Sequence, residues 1–222
     1  VFNGTKKLLD YARINEIQSV LLASSLEVYG TITNDSKPLT EDAQGFLNPM
    51  DVRSSYPMAK RAAETLCHNY AKEYGTHTKV ARLAQTFGAG VTKNDNRVFA
   101  QFARSIINGE DIIMHTKGEL CRCYCYTTDA IAAMLYILLR GKDGEAYNVA
   151  NETTYISIKD MATFLAETFN PKVKVVVELK ENMGYSPTTK LRLSTNKIQQ
   201  LGWTPHYNLQ EMFHRLIESL KQ

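Results

Sequence analysis

Between Ser19 and Gly88 the chain places an amphipathic helix between two apolar runs, and no other feature limits its fold so much. Ser19-Val-Leu-Leu-Ala-Ser-Ser25 is short, continuous and apolar and ends in small polar residues. Such a run reads as a strand of a parallel sheet covered on both faces. Tyr56 to Tyr74 sets Ala59, Ala62, Ala63, Leu66, Tyr70 and Ala71 along one helical face and stops at Gly75. Lys79-Val-Ala-Arg-Leu-Ala-Gln-Thr-Phe-Gly88 reads as a second buried strand running into a glycine turn. Strand, helix and strand in this order form a right-handed crossover, so the spacing predicts a doubly wound α/β sheet. Val98 to Asn108 and Thr128 to Arg140 read as further helices. Past Gly144 the pattern changes. Short β pieces at Tyr147 to Ala150, Tyr155 to Ile158 and Val173 to Leu179 alternate with helices at Lys159 to Phe169, Asn196 to Leu201 and Leu209 to Leu220, which predicts a small α+β lobe. The chain opens at Val1 within an amphipathic stretch, with no initiator Met and no leader-like segment, and more chain is expected before it.

With 222 residues, 44% of them hydrophobic and 22% charged, the chain has enough apolar material for a real core and is neither disordered nor low-complexity. A net charge of +3, evenly spread, does not make a nucleic-acid or anionic-membrane surface. The longest largely apolar, uncharged run, Ala130 to Leu139, is well short of the roughly 20 residues a bilayer span needs. Cys121, Cys123 and Cys125 alternate with Arg122 and Tyr124 as they would along one face of a strand. C-x-C-x-C lacks the usual zinc spacing, and four cysteines in a chain this long are no disulfide framework. Buried, reduced thiols and a cytoplasmic location are therefore expected. No two of the five histidines stand four apart, and no metal site is expected.

Open α/β sheets bind ligands outside the carboxyl ends of their strands. That rule draws attention to Ser24, Ser25 and Glu27 after the first strand and to Gln85 through Gly90 after the second. Tyr56 and Lys60 stand one turn apart on the crossover helix and share a face. A phenol is a poor base near neutral pH because its pKa is about 10, but an adjacent ammonium favours the phenolate. A phenol so tuned could take a proton from a sugar hydroxyl while hydride leaves the same carbon, with a serine hydroxyl holding the oxygen. By itself Y-x-x-x-K carries little weight, since with 12 tyrosines about one match is expected by chance. A second match, Tyr155 with Lys159, straddles a strand-to-helix junction and is set aside.

Ala23-Ser-Ser-Leu-Glu-Val-Tyr-Gly30, Asn48-Pro49, Arg53-Ser-Ser-Tyr-Pro-Met-Ala-Lys-Arg-Ala-Ala-Glu64 and Arg82-Leu-Ala-Gln-Thr-Phe-Gly-Ala-Gly90, in that order, resemble the extended short-chain dehydrogenase/reductase family. Within it they are most similar to nucleotide-sugar epimerases, 4,6-dehydratases and UDP-glucuronate decarboxylases. Gly144-Glu-Ala-Tyr-Asn-Val-Ala150 and Leu201-Gly-Trp-Thr-Pro205 extend the resemblance over nearly the whole chain. It implies the carboxyl-terminal portion of a Rossmann-like doubly wound parallel sheet plus a small α+β substrate-binding lobe. Residues 1–145 would form a partial NAD-binding domain, with lobe segments interleaved around 89–125, and residues 146–222 would be mainly substrate lobe. It also implies NAD as cofactor, with NADP the alternative, a nucleotide-diphosphate sugar as substrate, and a homodimer. By position, Tyr56 would be the catalytic base or acid, and Lys60 would bind the nicotinamide ribose. Ser25 would bond the reacting 4-hydroxyl, and Glu27 would assist at C5. Ser24 and Gln85 would lie beside the cofactor, Gln85 also beside the substrate. Arg122 would meet the diphosphate, a role suited to a planar charged fork. Arg97, in Asn94-Asp-Asn-Arg-Val98, would lie near the nucleotide, with a solvated surface charge an equal alternative.

The implied reaction is a transient oxidation at sugar C4 followed by decarboxylation or epimerisation. Glu27 favours C5 chemistry, and Leu26, where dehydratases carry Asp, disfavours 4,6-dehydration. An NAD(P)H-dependent 4-keto-sugar reductase and a non-catalytic remnant used for dimerisation or partner binding are the rival readings. Gln85 replaces the family's usual Asn, Ala89 its usual Pro, and Leu191-Arg-Leu-Ser194 lacks its Asp. The glycine-rich G-x-x-G-x-x-G turn that cradles a dinucleotide diphosphate does not occur in the sequence. The family carries that turn in an amino-terminal half of about three βα units. The chain is therefore expected to be a carboxyl-terminal fragment, unable by itself to hold NAD in the usual way.

Overall fold

A computed structural model describes residues 1–180 and 188–222; residues 181–187, within the expected substrate lobe, lie outside the described residues. Helix α1 (Phe2–Ile14) leads into strand β1 (Val20–Ser25). Two 3₁₀ turns, Leu26–Tyr29 and Val52–Ser54, precede α2 (Ser55–Tyr74). That helix ends at Gly75 with φ 67°, a left-handed position that suits glycine. The remaining elements are β2 (Thr78–Leu83), β3 (Gln85–Phe87), α3 (Val98–Asn108), β4 (Ile112–Met114), β5 (Cys121–Tyr126), α4 (Thr127–Arg140), β6 (Ala146–Val149), β7 (Asn151–Ser157), α5 (Ile158–Phe169), β8 (Val175–Val177), β9 (Lys190–Leu191), α6 (Asn196–Gln199) and α7 (Leu209–Lys221).

The order β1-β2-β6 forms a parallel sheet in which Val20 lies opposite Thr78 and Val80 opposite Ala146. Alternation along the strands splits its side chains between two layers. Val20, Leu22 and Val80 pack with Leu9 of α1 and Cys67 and Tyr70 of α2. Leu21, Ala81 and Leu83 pack with Ala130, Ala133 and Ile137 of α4. This is the doubly wound arrangement that the strand–helix–strand pattern predicts. A second, mixed sheet joins β3, β7 and β9 to β5, and the largest apolar cluster lies around it, between α3, α5 and α7.

One expectation needs correction. The strand expected to run unbroken from Lys79 to Gly88 is two strands in two sheets. The Ala84 N–H still bonds the Val149 carbonyl of the first sheet at 2.9 Å, whereas Gln85 already lies opposite Tyr124 in the second. On β5, Cys123, Tyr124, Cys125 and Tyr126 are all buried because layers close over both sides. The four cysteines are free thiols, and Cys121, at the open end of β5, is only partly buried. β6 follows the boundary drawn at 145 yet extends the first sheet, and Trp203 from the tail packs beneath α4.

Candidate active site

Two short capped turns aim the candidate residues. The Asp51 side chain accepts the Arg53 N–H at 2.9 Å and starts the turn that feeds α2. Tyr56 therefore stands in the first helical turn, 45% exposed. Lys60 follows one turn later, its ammonium 5.7 Å from the Tyr56 ring centre, and donates to the Ala23 carbonyl of β1 at 2.6 Å. Helix and strand are thus tied together beside the phenol. At the end of β1 the Ser25 hydroxyl accepts the Glu27 N–H at 3.2 Å, capping the turn that carries Glu27.

Tyr56, Glu27 and Arg122 line one cleft of about 600 Å³, together with Gly30, Asn48 and Thr189. Gly30 has φ 70°, and a Cβ there would come within 2.6 Å of the Phe46 carbonyl, so the wall of the cleft requires glycine. Arg122 reaches the cleft from β5 and donates to the Thr189 hydroxyl at 2.6 Å. Burial weakens the hold of its guanidinium on the proton, and the nearby Glu27 carboxylate opposes that effect. None of the ion pairs among the described residues includes Arg122. A partly buried cation in that condition favours an incoming anion with planar oxygens.

The other expected residues lie elsewhere. Ser24, expected beside the cofactor, is buried with its hydroxyl donated to Glu64 of α2, because its parity on β1 is that of Val20 and Leu22. Gln85 is half-buried on β3 and does not line the cleft. Arg97 caps α3, pairs with Asp95 at 2.6 Å and lies over the Phe99 ring at 4.7 Å. Its neighbours Asn96 and Val98 line a second cleft of about 430 Å³, which Thr188 also borders. Thr188 and Thr189 thus link the two clefts in the chain. A larger open hollow of about 820 Å³ beside α7 contains none of the expected residues.

Sequence reasoning missed a buried network behind the cleft. Glu64 accepts Ser24 and pairs with Arg82 at 2.8 Å, and Arg82 also reaches the Tyr29 hydroxyl and the Glu41 carbonyl. Burial weakens the hold of Arg82 on its proton, but its interactions with Glu64 and Tyr29 together outweigh this and raise its pKa. Burial pushes the Tyr29 phenol up to about 12. A signal was available: Tyr56, Lys60 and Glu64 continue one i, i+4 row along α2. Thr189 offered no comparable signal.

The sequence profile of the NAD dependent epimerase/dehydratase family matches residues 1–150. The chain belongs to this family. UDP-glucuronic acid decarboxylase 5 of Arabidopsis thaliana is 30% identical over 192 residues, covering 86% of this chain and 54% of the relative. UDP-glucuronic acid decarboxylase 1 of Danio rerio is 28% identical, covering 90% and 46%. The chain thus spans about half the length of the curated relatives it matches. The fold of family members is shared: a Thermotoga maritima UDP-glucose 4-epimerase superposes with TM-score 0.81 at 22% identity, over 98% of this chain and 68% of that one. A Bacillus anthracis dTDP-glucose 4,6-dehydratase solved in complex with NAD gives 0.81 at 17%, over 98% and 66%. The Tyr56 phenol and the Lys60 ammonium stand together at the rim of β1. The phosphate-cradling glycine turn is not in its sequence.

Proposed function

We propose that this chain supplies the sugar-side part of an NAD-dependent enzyme that oxidises C4 of a nucleotide-diphosphate sugar and then works at C5, with decarboxylation of a hexuronate the favoured reaction. The observation that carries this reading is the convergence of Tyr56, Glu27 and Arg122 on one cleft. The Tyr56 phenol, with the Lys60 ammonium beside it, takes the proton from the 4-hydroxyl, and Ser25 at the strand end steadies that oxygen. Arg122, anchored by Thr189, grips the diphosphate. The adjoining cleft beside Asn96 and Val98 leaves room for the nucleoside. Glu27 assists at C5, where a neighbouring C4 ketone lets the carboxylate leave as CO₂ and the resulting enolate takes up a proton; Tyr56 then gives its proton back to O4 as the hydride returns to C4. Bound NAD would supply the hydride acceptor, held on the nicotinamide side by Tyr56 and Lys60. The similarity to UDP-glucuronic acid decarboxylases at 26–31% identity supports the choice of a uronate.

The test is turnover by the longest natural form of the protein. UDP-glucuronate should lose CO₂ and give a UDP-pentose. Inert UDP-glucuronate with ready conversion of UDP-glucose to its 4-epimer would contradict the assignment.

A further inference from the structure

The cleft of Tyr56, Glu27 and Arg122 is lined by two further charged residues, Asp51 and Arg53. The 3₁₀ turn Val52–Ser54 runs straight into α2, so Arg53, Tyr56 and Lys60 continue one row at i, i+3 and i+7. The start of that row is fixed where the Asp51 carboxylate accepts the Arg53 N–H at 2.9 Å. Ser54, the next residue, turns inward and is buried, whereas Arg53 is exposed and faces the cleft. The base of the Arg53 side chain thus stands about one turn, roughly 5–6 Å between Cβ atoms, from that of Tyr56.

A nucleotide-linked hexuronate brings two anionic groups to the cleft, a diphosphate on C1 and a carboxylate on C5. C5 adjoins C4, so with the phenol on the 4-hydroxyl the carboxylate lies at the Tyr56 end. Two carboxylates, those of Glu27 and Asp51, already line the cleft and repel a third, so a uronate needs a cation beside its own. Lys60 is turned to the Ala23 carbonyl of β1, and Arg122 enters from β5, where it is bonded to Thr189. Arg53 is the lining cation on the Tyr56 row.

We propose that Arg53 binds the C5 carboxylate of the sugar and thereby selects a hexuronate over a neutral hexose, an inference that rests on the hexuronate chemistry proposed above. A planar guanidinium suits the two carboxylate oxygens, which a lysine ammonium meets only as a point charge. Decarboxylation discharges the group that Arg53 holds. The bond from C5 to the carboxylate carbon breaks, CO₂ leaves uncharged, and the electron pair passes to the C4 carbonyl oxygen as an enolate. A cation on the carboxylate therefore stabilises the bound substrate more than the transition state, so Arg53 contributes to affinity and selection and not to kcat.

The test compares UDP-glucuronate with UDP-glucose, which differ at C6 alone, by calorimetric titration of the longest natural form of the protein in a Tyr56→Phe background, where turnover is slow. UDP-glucuronate should bind at least about tenfold more tightly. Arg53→Gln should erase most of that ratio, while the affinity for UDP-glucose, which also reports that the variant is folded, falls far less. Arg53→Lys should recover part of the ratio. With Tyr56 in place, Arg53→Gln should raise KM for UDP-glucuronate at least about tenfold with kcat changed far less. A ratio that survives Arg53→Gln, a parallel loss of both affinities, or a drop in kcat at unchanged KM overturns the assignment of Arg53. Equal affinities before Arg53 is changed overturn it together with the choice of a uronate, whereas CO₂ release by the natural protein with an intact ratio in Arg53→Gln overturns this inference alone.

Discussion

Tyr56→Phe keeps the ring that Lys60 approaches and removes only the proton acceptor. In the longest natural form of the protein, kcat should fall by about 10²–10⁴ with KM changed far less, as steady-state kinetics would measure. Arg122→Lys keeps the charge and loses the fork that meets Thr189 and, on the proposed reading, would meet a diphosphate. Calorimetric affinity for a UDP-sugar should weaken about tenfold or more, corresponding to about 1.5–3 kcal/mol for bonds to a charged group. The two substitutions thus separate chemistry from grip. A similar drop in kcat at unchanged affinity for Arg122→Lys would place Arg122 on the wrong part of the substrate.

Behind the cleft, β1, β2 and α2 are joined by Ser24, Glu64 and Arg82 rather than by apolar packing alone. Arg82→Leu would leave Glu64 buried without its partner, and urea unfolding should show a loss of about 3–5 kcal/mol. At the other edge, Lys197 and then Lys142 hold the Glu145 carboxyl below its usual value. A native pKa below the unfolded value of about 4.3 contributes stability in full above that pH and loses it as pH falls through the native value. Glu145→Gln should therefore cost up to about 1 kcal/mol at pH 7, since the pair is partly exposed. Urea midpoints of the two proteins should converge as pH falls through the native value. The helices and β1 were legible because burial imposes a period on them, and α3 has the bounds that its apolar spacing predicts. The break at Ala84 was not, because an apolar run gives no sign of which sheet its second half joins. The bond from Ser24 to Glu64 was hidden for a related reason: two adjacent serines differ only in parity, and parity is fixed by the layer each strand face meets. The Tyr56–Lys60 pair was visible in the spacing, whereas Thr189 reaches Arg122 across 67 residues of chain.

At the scale of the molecule, the chain contains one wall of the proposed nucleotide-sugar site and, among the described residues, one sheet edge without a neighbouring strand. The first property is testable without the second. Titrating UDP-glucuronate into the protein while following backbone amide resonances asks directly where the ligand sits. The account predicts shifts at Gly30, Arg122 and Thr189, with weaker ones beside Val98, and their loss in Arg122→Ala. Shifts confined to the hollow beside α7, or an unchanged pattern at Gly30 and Thr189 on saturation, would contradict it.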